Sequence, residues 1–144
     1  MKRHALPTFI VSICVLVALL PGVASPQTVI QYGDCLEAAL IVGATDVYEF
    51  TASAGDVITV RMQDNTSMEP RIEVFDPLGT SIAAAAGSSG GQAFIDVLTL
   101  PISGTYTIEA RDSGNDEGGG YALNLQRTFL PGQAIAIGYG DCAS

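Results

Sequence analysis

The segment DSGNDEGGG, residues 112–120, is the part of the sequence richest in side chains that could do chemistry. Asp112, Asn115, Asp116 and Glu117 bring oxygen donors together, and Ca²⁺ prefers oxygen ligands. Their spacing is neither that of an EF-hand loop nor that of a glycine-rich nonapeptide repeat. Two interpretations remain: a calcium site that uses Asp112, Asp116 and Glu117, or a solvated hairpin loop whose Asp, Asn and Gly serve turn geometry. The sequence favours the second.

Two cysteines occur in the same local context near opposite ends of the chain. Residues 32–35 and 139–142 both read YGDC. In an oxidising compartment two cysteines tend to pair. The 14 residues from Thr128 to Cys142 span up to about 46 Å, so a return to Cys35 is open. The alternative is that YGDC marks the start of a module, which makes Cys142 the first cysteine of a second copy.

The first 24 residues are typical of a secretory signal peptide. Basic residues open the chain, an almost unbroken apolar run covers 9–20, and small residues follow Pro21 and Gly22. The run is shorter than the roughly 20 residues that cross a bilayer as a helix. We predict cleavage after Ala24 and a mature protein that is secreted, periplasmic or at the cell surface, with no membrane attachment. A retained N-terminal anchor is the alternative.

The mature chain would contain neither lysine nor histidine, because Lys2 and His4 are the only residues of these types. The lack of histidine excludes Ser-His-Asp and Cys-His triads and His-ligated zinc. The lack of lysine excludes Schiff-base chemistry and a P-loop. Four arginines against 15 carboxylates leave a net charge of −11, which repels nucleic acid and attracts cations. We therefore predict no nucleic-acid partner.

Carboxylates alone can hydrolyse glycosides when two of them face each other across a cleft. Asp96 and Glu109 are the candidates on predicted strands, but alternation makes both solvent-facing and nothing in the pattern brings them together. We therefore predict that the chain is not an enzyme and name no catalytic residue. A small secreted hydrolase that uses carboxylates only is the alternative.

The rest of the chain consists of short alternating apolar and polar segments separated by turn residues such as Asp-Pro-Leu-Gly at 76–79. No stretch keeps a helical period. This pattern predicts an all-β fold, a two-sheet antiparallel β-sandwich of about eight strands. The predicted strands are 37–42, 47–52, 57–63, 71–76, 80–86, 93–100, 105–111 and 121–126, with a polar loop at 64–70. Tyr48, Tyr106 and Tyr121 fall on apolar faces and are predicted core residues, and Ile95 and Val97 share one face of their strand.

Several of these segments, taken in order, resemble the bacterial pre-peptidase C-terminal domain family. The segments are DVYEFTASAGDVITV, PRIEVFDPLG, LPISGTYTIEA and GGGYALNL, and the resemblance covers roughly residues 32–128. It implies a jelly-roll-like sandwich of the kind appended to secreted peptidases and surface proteins, and a module that is not itself catalytic. The implied function is binding or spacing, with an extracellular or cell-surface protein or polymer as the partner.

The resemblance also implies a further calcium ligand. Asp46 stands where the family pattern places an Asp before Tyr-x-Phe, and some related collagen-binding modules use acidic residues near this position for calcium. No other cofactor is expected. The predicted organisation is a signal peptide at 1–24, a lead-in at 25–34, the sandwich domain at 35–129, and at 130–144 a C-terminal tail or the start of a truncated second repeat.

Overall fold

The computed structural model describes residues 27–128, which form nine β-strands. Within that range no helix has the length and apolar character needed to cross a membrane. The predicted signal peptide and the predicted C-terminal tail lie outside the described residues. The strands are β1 (Thr28–Val29), β2 (Cys35–Leu40), β3 (Thr45–Ala52), β4 (Val57–Asp64), β5 (Pro70–Phe75), β6 (Ser81–Ala86), β7 (Gln92–Thr99), β8 (Gly104–Asp112) and β9 (Gly119–Thr128).

The strands form two stacked sheets, as the sequence predicts. Sheet A has the order β1-β3-β8-β5-β6 and sheet B the order β2-β9-β4-β7. Apart from the β5–β6 hairpin, consecutive strands alternate between the two sheets, which gives the jelly-roll-like arrangement. Every pairing is antiparallel except that of β1 with β3, which is parallel. The prediction of an all-β sandwich is confirmed, with nine strands in place of about eight.

Alternation along each strand builds the core between the sheets. On β4, Ile58, Val60 and Met62 are fully buried, while Thr59 and Arg61 point outward. The alanine-rich segment predicted at 80–86 is also a strand, β6, paired with β5. Alanine favours helix by propensity, so the flanking turn and glycine loop decide its conformation.

Part of the predicted lead-in at 25–34 forms a short strand and contributes a side chain to the core. Thr28 and Val29 pair with β3, and Ile30 donates its backbone N–H to the carbonyl of Glu49 at 2.9 Å. The Ile30 side chain is 1 % exposed and belongs to the core. A strand of two residues gives too short a pattern to be recognised in a sequence.

One side chain on β7 faces the opposite way from its prediction. Alternation placed Ile95 and Val97 on the same face, but Ile95 is buried and Val97 is 64 % exposed. The register against β4 slips between Ile58 and Val60, where β7 carries an extra residue, and Val97 has φ = 51°. This β-bulge turns Val97 outward.

The loops gather at two ends of the sandwich, which we name here. The acidic end comprises the connections at 41–44, 65–69, 87–91 and 113–118. The corner end comprises the connections at 30–34, 53–56, 76–80 and 100–103.

Candidate binding surface at the acidic end

Asp112 is the buried centre of the β8–β9 loop. One carboxylate oxygen accepts the backbone N–H of Glu69 at 2.9 Å, and the other accepts those of Asp116 at 3.2 Å and Glu117 at 3.3 Å. Burial alone would raise the pKa of this carboxyl, but the backbone N–H donors outweigh burial and hold the pKa below its ordinary value. The Asp112 carboxylate therefore shapes the loop.

Asp46 accepts a hydrogen bond from one of two buried tyrosines that are bonded to each other, Tyr48 and Tyr121. The Tyr121 hydroxyl donates to Asp46 Oδ2 at 2.6 Å and lies 2.6 Å from the Tyr48 hydroxyl. Since the Tyr121 proton is used on Asp46, Tyr48 is the donor between the two hydroxyls. Burial is the largest cause that raises the pKa of both tyrosines. Tyr48 and Tyr121 thus belong to the core, as predicted from their place on apolar faces.

The predicted calcium ligands are only partly brought together. Asp112, Asp116 and Glu117 share one loop, whereas Asp46 lies on β3 and is bound to Tyr121. Among residues 27–128, no group of three or more Asp, Glu, Cys or His side chains is arranged to hold a metal ion. Calcium binding at these residues stays a prediction.

Asp64, at the end of β4, adds a carboxylate that sequence reasoning assigned only to a polar loop. Its Oδ1 accepts the backbone N–H and the hydroxyl of Thr66, both at 2.8 Å. Its Oδ2 is buried and has no hydrogen-bond partner among the described residues. An Asp followed two residues later by Thr is a turn signature visible in the sequence, but the lone oxygen could not be foreseen from it.

The pKa of Glu117 shows the sign of the potential at this end of the molecule. Burial raises this pKa first, and the negative charges of Asp112, Asp116, Glu69 and Asp64 raise it further. Carboxylates from the end of β4, the β4–β5 loop and the β8–β9 loop therefore lie close enough to act on Glu117.

Two arginines lie close to this end, on the outer face of sheet A, but they form ion pairs with Glu73. Arg71 and Arg111 are opposite each other in the β5–β8 register. Their guanidinium groups reach Glu73 at 3.5 Å and 3.8 Å. The Glu73 pKa is lowered by a hydrogen bond from Ser81 and by these arginines. The arginines therefore balance charge on sheet A.

An exposed aliphatic pair stands beside the acidic cluster. Ile41 is 78 % exposed and Val42 is 65 % exposed. The sequence placed both on a strand at 37–42, but β2 ends at Leu40. Gly43 has φ = 75°, a left-handed conformation that closes a turn after the strand. The pair therefore projects from a turn and takes no part in a sheet; we call it the aliphatic tip.

The turn that carries the aliphatic tip lies against the β8–β9 loop, which holds Asp116 and Glu117. A Cβ added to Gly118 would come within 2.7 Å of the Leu40 carbonyl oxygen and 2.9 Å of the Val42 nitrogen. Only glycine permits this close approach of the two backbones. The turn that carries the tip and the β8–β9 loop are therefore neighbours at this end of the molecule.

The carboxylates considered for hydrolysis do not form a pair. Asp96 lies on β7 in sheet B, where its Oδ1 accepts the Thr59 hydroxyl at 3.4 Å. Glu109 lies on β8 in sheet A, opposite Glu73 on the outer face. The thickness of the sandwich separates Asp96 from Glu109, so they cannot act across one cleft.

The YGDC segment at 32–35 forms a structural corner at the other end of the molecule. The Tyr32 hydroxyl donates to Asp56 at 2.9 Å. Gly33, at φ = 94°, donates its N–H to the Leu125 carbonyl, and Asp34 accepts the N–H of Gln31 at 2.8 Å. The corner carries the chain from β1 in sheet A to β2 in sheet B. The predicted Cys35–Cys142 bridge stays a prediction, because Cys142 lies outside the described residues.

A shallow pocket also opens at the corner end, between β1 and the edge of β3. Its volume is about 380 Å³. Its lining combines apolar side chains with Gln31 and the hydroxyls of Tyr32 and Thr51, and contains no charged side chain. The lining residues are Val29, Ile30, Gln31, Tyr32, Phe50 and Thr51.

Residues 44–112, from the start of β3 to the end of β8, match the family model of the bacterial pre-peptidase C-terminal domain. The match covers just under half of the chain and agrees with the resemblance seen in the sequence. The pre-peptidase C-terminal domain is a non-catalytic module found with secreted peptidases. The matched range includes Asp46, Asp64 and Asp112, whereas Ile41, Val42, Asp116 and Glu117 lie outside it.

Solved structures agree with this assignment of the fold. The chain is similar to the pre-peptidase C-terminal domain of a Bacillus anthracis collagenase, with a TM-score of 0.59 and 18 % identity over 72 % of this chain and 99 % of that one. It is also similar to PliG, a periplasmic inhibitor of g-type lysozyme, from Aeromonas hydrophila, with a TM-score of 0.55 and 20 % identity over 70 % and 96 %. No curated protein sequence matches the chain.

Proposed function

We propose that the chain is an exported, non-catalytic binding module whose contact surface is the acidic end. The observation that carries the proposal is the aliphatic tip, Ile41 and Val42, held in water beside a cluster of carboxylates. Aliphatic side chains contribute to stability when they leave water, and a module that only spaces other domains gains nothing from exposing two of them.

The family context and the charge of the chain support the same proposal. Pre-peptidase C-terminal domains accompany secreted peptidases, and the predicted signal peptide provides a route for export. The partner is then an extracellular or cell-surface protein or polymer. The negative net charge disfavours anionic partners such as nucleic acid.

The experiment compares two matched variants of the mature protein by biolayer interferometry. The probes are fibrillar collagen, peptidoglycan and a g-type lysozyme, the first and last chosen from the names of the similar structures. Ile41→Ser/Val42→Ser removes the aliphatic tip. Leu78→Ser is the control, because Leu78 is equally apolar and 81 % exposed but lies at the corner end.

We expect binding to at least one probe, its loss in the Ile41→Ser/Val42→Ser variant, and its retention in Leu78→Ser. Melting curves establish that both variants are folded. Failure of all three probes to bind, or an equal effect of the two variants, would reject the acidic end as the contact surface.

We propose further that Ca²⁺ is bound at this end in solution. The support is the Asp64 oxygen that has no partner among the described residues, together with the raised pKa of Glu117. The Asp64 oxygen would be the first ligand, since carboxylate oxygens suit calcium. Asp116 and Glu117 would have to move toward it, because among residues 27–128 no three such side chains are already arranged to hold a metal ion. Calorimetric titration with Ca²⁺, with Glu117→Gln as the matched variant, tests this. No heat and an unchanged melting temperature would dispose of the calcium site.

A further inference from the structure

We infer that the partner of the acidic end is a cationic protein that presents arginine or lysine side chains around an apolar recess. This inference rests on the proposed function and names the chemistry of its partner. Two independent features carry it, the aliphatic tip and the uncompensated negative charge beside the tip.

The aliphatic tip has the form of a small plug. Ile41 and Val42 project from a short turn that is closed by a hydrogen bond from the Ala44 N–H to the Ile41 carbonyl at 2.9 Å. The contact with Gly118 fixes the turn against the acidic loop. A rigid, protruding apolar pair fits a recess, and burial of such a pair at the centre of an interface is a common source of affinity.

The charge beside the tip has no counterion within the described residues. Asp112 is stabilised by backbone N–H groups, which carry no net charge. Asp64 has one oxygen engaged by Thr66 and one with no partner. Arg71 and Arg111 are bound to Glu73, and the Arg61 guanidinium donates to Gln63 at 2.9 Å. No arginine among residues 27–128 forms an ion pair with this cluster, so its charge is open to a cationic partner.

The two features together select one class of ligand. A bound Ca²⁺, as proposed above, would neutralise part of the cluster but would leave Ile41 and Val42 in water, so the titrations below are run in EDTA. A neutral polysaccharide would cover Ile41 and Val42 but would leave the carboxylates without a positive partner. Nucleic acid and anionic lipid are repelled by the cluster. A basic protein surface with an apolar recess satisfies both the charge and the tip.

The test measures affinity for a g-type lysozyme of basic isoelectric point, and for the same protein after succinylation of its lysines. Titrations run from about 50 mM to about 500 mM NaCl, because screening weakens contacts between exposed charges. Asp116→Asn/Glu117→Gln removes charge from the acidic end. Glu37→Gln is the matched control, since Glu37 is exposed on β2 in sheet B, away from the cluster.

We expect Asp116→Asn/Glu117→Gln and Ile41→Ser/Val42→Ser each to weaken binding about tenfold at low salt, and Glu37→Gln to change it less than about twofold. Succinylation should abolish binding. Binding that survives high salt and succinylation, or that falls equally in Glu37→Gln, overturns the cationic partner.

The result also separates this inference from the proposed function. If the tip variant loses binding to collagen or peptidoglycan while the charge variant does not, the module binds through its acidic end but its partner is not cationic. If the mature protein binds no probe at all, both statements fall.

Discussion

Carboxylates shape turns at both ends of the sandwich, but among the described residues only the corner end pairs one of them with an arginine. At the corner end, Asp34, Asp56 and Asp76 each accept backbone N–H groups of their own turns. Asp56 is also paired with Arg127 at 3.6 Å. At the acidic end, burial raises the pKa of Glu117, and the negative charges of Asp112, Asp116, Glu69 and Asp64 raise it further. The corner end includes an ion pair of its own, whereas at the acidic end no arginine among residues 27–128 pairs with the carboxylates.

Aromatic packing reinforces the corner end. The Tyr32 ring meets Phe50 edge-on at 6.0 Å, and Phe50 stacks on Tyr106 at 5.5 Å. The Arg127 guanidinium lies 5.1 Å from the centre of the Tyr32 ring. Burial is the largest cause that raises the Tyr32 pKa, followed by its bond to Asp56. We therefore expect changes at the corner end to cost stability, and changes at the surface of the acidic end to cost binding.

The largest effect is expected from Cys142→Ser, which tests whether the corner is also closed covalently. A Cys35–Cys142 bridge closes a loop of about 100 residues and would stabilise the oxidised protein by about 4–5 kcal/mol in the chain-entropy model. Denaturant unfolding of the mature protein measures the loss. Reduced wild-type protein should match the variant. Alkylation of both cysteines in the native, oxidised protein would show that they do not pair.

Tyr32→Ala should cost about 3 kcal/mol, because it removes the ring that covers Phe50 and the contact with Arg127. Tyr32→Phe keeps the ring and loses only the hydrogen bond to Asp56, so about 1 kcal/mol is expected. Thermal and urea unfolding measure both values. Equal losses in the two variants would mean that the hydroxyl, and not the packing, holds this end.

Asp112→Asn should cost about 2 kcal/mol at neutral pH, since a charged acceptor of several backbone N–H groups is lost. The folded pKa of Asp112 lies below its unfolded value. Its stabilising effect is therefore complete above the ordinary Asp pKa of about 4 and fades as the pH falls further.

Unfolding curves of wild-type protein and Asp112→Asn, taken at several pH values, should accordingly converge in acid. Asp116→Asn is the control for a carboxylate on the surface of the same loop, because the Asp116 side chain is exposed. A difference between wild type and Asp112→Asn that persists unchanged in acid would contradict a role of the ionised carboxylate.

The smallest effect on stability is expected from Ile41→Ser/Val42→Ser, within about 0.5 kcal/mol, because exposed side chains bury little apolar area. The same variant should have the largest effect on binding. A melting curve checks the expected stability, and a binding titration on the same preparation checks the expected loss of binding. A marked loss of stability would show that the aliphatic tip belongs to the fold.

Strands and core side chains were largely predictable because their signal is local. Alternation over a few residues placed Tyr48, Tyr106 and Tyr121 in the core, where the structure has them. The exceptions are also local in cause. The bulge at Val97 breaks alternation through one backbone conformation, and β1 is too short to show alternation at all.

The candidate site was less predictable because it depends on which loops meet. The sequence singled out Asp112, Asp116 and Glu117 as neighbours along the chain. It did not indicate that Asp64 would lie close enough to raise the pKa of Glu117, or that Ile41 and Val42 would leave the strand. These contacts join segments that are distant along the chain.

The sequence by itself determined the β-sandwich, the lack of lysine and histidine outside the predicted signal peptide, and the negative charge, because period-2 patterning and composition need no partner segment. Only the tertiary structure decided what the carboxylates do. Strand pairing across the two sheets places Arg127 against Asp56 at the corner end and brings carboxylates of separate loops together beside an apolar turn at the acidic end. It also gives YGDC its role, a corner between sheets, because Gly33 and Tyr32 find their partners on β9 and on the β3–β4 turn.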